Sequence, residues 1–162
     1  MIYRIRVILD VDDDVLRDIE ISSNSTLEDL HNTIIQSFGF LGNEMASFYE
    51  SDENWIQGDE LPLESLETGI NKKDEKLNTV LTFSKPKLIY VYDFLNLWTF
   101  YVELKEEGEI VSGVTYPNLI HSQGEVPEEA PFKTFEAKGE ENYPDNKMEQ
   151  NEDIDDESDA FY

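Results

Sequence analysis

Apolar and polar residues alternate from the start of the chain. In "YRIRVILD", Tyr3, Ile5, Val7 and Leu9 are set off by Arg4 and Arg6, the period of two that predicts a half-buried strand. "DVDDD" then reads as a turn, and "VLRDIEIS" resumes the alternation through Arg17, Ile19, Glu20 and Ile21. Together they predict an opening β-hairpin. The period changes next: Leu27, Leu30, Ile34, Ile35 and Phe38 form one stripe at helical spacing. Ser25 with Glu28 three residues on predicts a capping box at its start, and Gly39 predicts its end. A hairpin followed by an amphipathic helix is also how a β-grasp domain begins, an analogy at the level of fold only.

Further along the pattern weakens. "MASFYESD" predicts a short strand, and Asn54 to Lys76 a polar surface excursion with one helical turn around Leu63 to Leu66. "NTVLTF", "KLIYVYDF" and "WTFYVEL" predict three more strands, the last with Trp98, Phe100, Val102 and Leu104 on one face. Beyond "GEIVSGVTYP" the chain reads as loop, with Pro117, Pro127 and Pro131 along it. From Lys138 apolar residues nearly vanish, and too little surface can be buried to offset ordering entropy. The expectation is a single α+β domain over residues 1–137, mainly an antiparallel sheet with one principal packed helix. Residues 138–162 are expected to be a disordered acidic tail.

Composition narrows what such a domain does. The 162 residues carry 37 acidic and 12 basic side chains, a net charge of −25. Residues 138–162 hold ten acids and two lysines, a net of −8, so the remaining 137 residues carry −17. A polyanion is repelled by nucleic-acid phosphates and anionic lipid, so direct binding to either is not expected. The absence of cysteine removes thiolate chemistry and disulfides and fits a reducing compartment. No signal-peptide pattern opens the chain, and no apolar run approaches the roughly 20 residues that span a bilayer. A soluble, cytoplasmic protein is expected.

Candidate chemistry is sparse. Asp10, Asp12 and Asp14 match the first acidic positions of an EF-hand loop, but Val15 stands where glycine is required and Ile21 where glutamate is. Weak cation binding by an acidic turn is all that remains. No nucleophile elbow, phosphate-cradling loop or dinucleotide-binding turn is present, and neither cofactor nor metal is expected. His31, beside the apolar stripe, reads as a packed residue; His121 reads as an exposed loop residue. Asp93, in "YVYDFLNLW", is the one carboxylate amid aromatics. It is expected to fasten the chain reversal by bonding downstream amides.

The same stretch resembles a known family, the plasmid pRiA4b ORF-3-like proteins. Their pattern Tyr-Asp-Phe-Gly-Asp-x-Trp-x-His-x-Ile is matched here by Tyr92, Asp93, Phe94 and Trp98, with Leu95, Asn96 and Phe100 at the Gly, Asp and His positions. The family's Leu-His-x-x-Ile helix ending in Gly-Trp is matched by Leu30, His31, Ile34 and Gly39, with Phe40 for Trp and Glu44 where a following His is usual. Tyr116, Pro117, Gly124, Pro127 and Glu128 match a later segment. The resemblance spans about residues 1 to 135. It implies a compact α+β domain and a possible tie to mobile elements, but no reaction.

The leading expectation is therefore a non-enzymatic interaction module with a candidate binding groove of Tyr92, Asp93, Phe94, Trp98, His31 and Tyr116, recognising a protein partner; the acidic surface would suit a basic one. The alternatives are an acidic, DNA-mimicking decoy for a basic nucleic-acid-binding protein, and an enzyme using Asp93 and His31.

Overall fold

A computed structural model describes residues 1–64 and 69–133. The expected acidic tail and the end of the expected domain at residue 137 lie outside the described residues, as does half of the helical turn expected at Leu63 to Leu66.

Strands β1 (Ile2–Leu9) and β2 (Leu16–Ser22) form the expected hairpin, and α1 (Leu27–Phe38) follows. Then come β3 (Ala46–Ser51), β4 (Gln57–Pro62), a four-residue helix α2 (Leu77–Val80), β5 (Lys87–Tyr92), β6 (Trp98–Gly108) and β7 (Asn118–Gln123). The strands make one seven-stranded sheet in the order β4-β3-β5-β6-β1-β2-β7. Every pairing is antiparallel. The fold is a sheet-dominated α+β domain.

One sheet face carries the core because alternation puts its apolar side chains on the same side. Tyr3, Ile5, Val7, Phe48, Leu88, Tyr90, Phe100 and Val102 pack there against Leu27, Leu30, Ile34, Ile35 and Phe38 of α1. The Tyr3 hydroxyl donates to the Leu81 carbonyl at 2.9 Å, so that phenol enters the core with its polar end satisfied. Arg17 follows the alternation onto this apolar side with Ile19 and Ile21, the charged residue among the inward positions of β2. Its guanidinium lies 4.7 Å from the Phe38 ring and donates to the carbonyls of Ser37, Leu16 and Gln123. It thereby covers the end of α1, where carbonyls lack helical partners.

Three expectations are corrected. The capping box is real but one residue later: Thr26 Oγ1 accepts from the Asp29 amide at 3.1 Å and Asp29 Oδ2 from the Thr26 amide at 3.0 Å. Thr26→Ala is accordingly expected to cost about 1 kcal/mol, whereas Ser25→Ala stays within about 0.5 kcal/mol; urea denaturation of the two variants checks this. "NTVLTF" is not a strand. Leu77 and Leu81, four apart and fully buried, face the core from one helical turn, and the Leu77 amide donates to the Ser25 carbonyl. Finally, the polar stretches expected as surface excursion and loop contain the two edge strands, β4 and β7.

Candidate functional site

The β5–β6 hairpin turns through Asp93 to Leu97. Asp93 has φ 68 and Leu97 φ 56, left-handed conformations that side chains other than Gly, Asn and Asp adopt at a cost. Asp93 holds the turn in this shape. Its Oδ1 accepts from the Leu95 amide at 3.0 Å and the Asn96 amide at 3.3 Å, and its Oδ2 accepts from Asn96 Nδ2 at 2.7 Å. The Asp93 carbonyl accepts from the Leu97 amide, and its own amide donates to the Met45 carbonyl. Only 8% of Asp93 is exposed, and both carboxylate oxygens are engaged inside the turn.

Behind the turn stands an aromatic stack. Tyr92 and Trp98 are cross-strand partners, and Phe40 places its ring 5.1 Å from Tyr92, 5.2 Å from Trp98 and 5.9 Å from Phe100. The Tyr92 hydroxyl accepts from the Gly42 amide at 3.0 Å. The loop from Gly39 to Met45 is thus bound to the β5–β6 turn at two points, by Tyr92 and by the Asp93 amide. Three apolar side chains point outward on these two loops, Leu41 at 89%, Phe94 at 40% and Leu95 at 91% exposed, beside the exposed polar Asn43, Glu44 and Asn96. The result is a tip with greasy ends and an aromatic base.

The six candidate residues do not line one groove. Tyr92 and Trp98 are buried under Phe40 and face the helix side of the sheet, so they support the tip rather than wall a cleft. Tyr116 lies at the other end of the sheet, in a small recess of about 230 Å³ with Ile2, Arg4, Glu20 and Glu106. Since β6 spans the ten steps from Trp98 to Gly108, which also borders that recess, Tyr116 is about 30 Å from the tip. His31 is on α1, where its Nδ1 meets the Tyr90 hydroxyl at 2.5 Å. Tyr90 precedes Asp93 by three strand positions, about 10 Å, so His31 and Asp93 have separate partners in separate places. Of the positions where the family pattern carries histidine, Glu44 is exposed and Phe100 is sealed in the core.

Electrostatics elsewhere is structural. On the sheet face away from α1, Arg4 joins Glu20 and Glu106, and Arg6 makes two hydrogen bonds with Asp18. The Arg6 guanidinium holds Asp18 below the usual carboxylate range. Asp10 Oδ2 accepts from the Tyr101 hydroxyl and Lys133 Nζ, and among the described residues no three His, Asp or Glu side chains converge as a metal-ligand set. An open cleft of about 890 Å³ lies between the β3–β4 hairpin and the turn at Phe83 to Pro86. It mixes acids with Lys85 and Lys87 and contains none of the candidates.

His31 gives a pH signature. Burial lowers its pKa, against the opposing pull of Glu28 and Glu64, while burial raises that of Tyr90. A neutral imidazole protonated on Nε2 accepts a hydrogen bond at Nδ1 from the Tyr90 hydroxyl, which keeps its proton. Because the folded pKa lies below the unfolded value of about 6.5, the unfolded chain takes up the proton first as pH falls. This contribution is complete above that value and is lost as pH drops through it toward the folded pKa. His31→Gln is expected to flatten the decline in stability between about pH 7 and 5, as read by urea midpoints across that range.

Comparison with known proteins agrees with this architecture. A crystal structure of the protein of unknown function MM3350 from Methanosarcina mazei Go1 is similar, with TM-score 0.68 and 23% identity over 78% of this chain and 72% of that one. At that identity the likeness concerns fold. No curated protein matches. The family model of the plasmid pRiA4b ORF-3-like protein matches residues 1–157, running past the 135 residues over which the motifs were legible. The chain belongs to the plasmid pRiA4b ORF-3-like protein family.

Proposed function

We propose that the chain is a non-enzymatic, cytoplasmic interaction module that engages a protein partner through the apolar tip of Leu41, Phe94 and Leu95. The carrying observation is that three exposed apolar side chains sit on two loops fastened to each other by Tyr92 and Asp93. A fixed apolar projection binds at little ordering cost, and the centre of a protein interface is where such side chains contribute most. The β-grasp likeness stays with the β1–β2–α1 opening, and a tie to mobile elements stays with the family; neither bears on the partner.

The decoy reading rests on a different observation, the −17 carried outside the last 25 residues. Salt separates the two. Capture of a partner from the native host should vanish with Phe94→Ser/Leu95→Ser and survive a rise in salt if the tip binds. Capture that survives the double substitution but collapses on raising salt from about 0.05 to 0.3 M would replace the tip with a charge-driven contact. The enzymatic reading through Asp93 and His31 is disfavoured by their separate hydrogen-bond partners.

A further inference from the structure

Charge disappears from one part of the chain. From Ile110 through Gly124, fifteen consecutive positions contain no Asp, Glu, Lys or Arg, although 30% of all residues are charged. The helix region has a comparable run, Leu30 to Asn43, but there every apolar residue except Leu41 at the tip is buried or half-buried against the core. Here Ile110, Val111, Val114, Leu119 and Ile120 are all exposed. The run ends in β7, which closes one side of the sheet, and among the described residues no strand flanks its outer side.

The two sheet edges are built differently. β4 carries Asp59, Glu60 and Pro62, residues that discourage strand addition by charge and by a missing amide. β7 reads Asn-Leu-Ile-His-Ser-Gln and has neither. It is also held firmly. Arg17 bonds the Gln123 carbonyl, and Gly124, at φ 79, lies so close to the β1–β2 turn that a Cβ would overlap the Asp14 carbonyl oxygen. Ile120 has no register partner on β2, because the pairing shifts between Asp18 and Ile19.

We propose that β7 is the contact by which two copies of this chain associate, each strand lying antiparallel to its twin about a two-fold axis. Strand addition at an open edge supplies main-chain hydrogen bonds, and a two-fold contact must be self-complementary. A uncharged strand meets that condition. A basic or acidic partner would find nothing on this strip to pair with, and at −25 per copy this is the stretch of edge where the chain can approach itself without facing like charge. The contact is small, so it is weak, with a Kd of about 10–100 µM. It is also independent of the tip.

Sedimentation of the full chain over a concentration series tests this. The expected species at high concentration has twice the 18.8 kDa mass of the chain. Its formation should strengthen with salt, because the screening length falls from about 30 Å at 0.01 M to about 8 Å at 0.15 M and the copies repel less. Ile120→Glu should weaken it about tenfold or more, since the two-fold axis doubles any added charge; Leu95→Glu, on the tip, should leave it unchanged. Amide exchange of residues 118–123 in the unsubstituted chain should slow as concentration rises, a readout that needs no variant. A monomer at every concentration and salt, a dimer retained by Ile120→Glu, or an assembly that dissolves as salt rises would each overturn the proposal.

Discussion

Phe100→Ala is expected to lower the free energy of unfolding by about 3–5 kcal/mol, the range for an aromatic removed from a packed interior. Phe100 has no exposed surface. Its ring lies 4.9 Å from Phe38, 5.4 Å from Tyr90 and 5.9 Å from Phe40, so it joins the helix, the centre of β5 and the base of the tip. Three neighbouring rings fixed by separate elements cannot all collapse into the cavity, which places the loss toward the upper end. Phe100→Leu should cost roughly a third as much by keeping most of the volume. Phe94→Ala, at a half-exposed ring on the tip, should cost less than about 1 kcal/mol. Chemical denaturation of the three variants gives the comparison. A small loss at Phe100 would mean that the aromatic layer under α1 is not the centre of the core.

Asp93→Ala is the second large effect, with an expected loss of about 2–4 kcal/mol. Two contributions combine. The amides of Leu95 and Asn96 and the Asn96 side chain lose their acceptor in a part-buried turn, and each orphaned group in such a place costs about 1 kcal/mol or more. Alanine must also hold a φ of 68, which costs about 1 kcal/mol for a side chain without a local hydrogen bond. The turn that carries Phe94 and Leu95 should loosen with it. Amide exchange at Leu95, Asn96 and Leu97 should rise before the rest of the sheet opens.

The sequence showed most clearly the elements that bury a face. β1 and β6 present alternating apolar side chains to the helix and the α1 stripe faces them, so period located these three. β5 was legible instead as a short continuous apolar run, buried on both faces. β4 and β7 were missed because edge strands bury little: Leu61 is the one buried residue of β4, and β7 has none. The cap slipped by one residue because Ser25–Glu28 and Thr26–Asp29 offer the same spacing, and only the backbone conformation at Thr26 decides between them. Arg17 shares the inward period of Ile19 and Ile21 on β2, and the carbonyl of Ser37 at the end of α1 gives its guanidinium a partner there. The candidate site was legible in part. Asp93 as the fastening of a turn followed from residue type and position. The division of the aromatics did not, because nothing local says that Phe40 covers Tyr92 and Trp98 while Phe94 stays outside.

The clearest test of this account is the unfolding free energy of Asp93→Asn beside that of Asp93→Ala. Asparagine keeps an acceptor oxygen and tolerates the left-handed backbone, so it should lose no more than about 1 kcal/mol while alanine loses two or more times that. Equal or greater stability in both variants would contradict the account, since a carboxylate that the fold does not need is one kept for some other task.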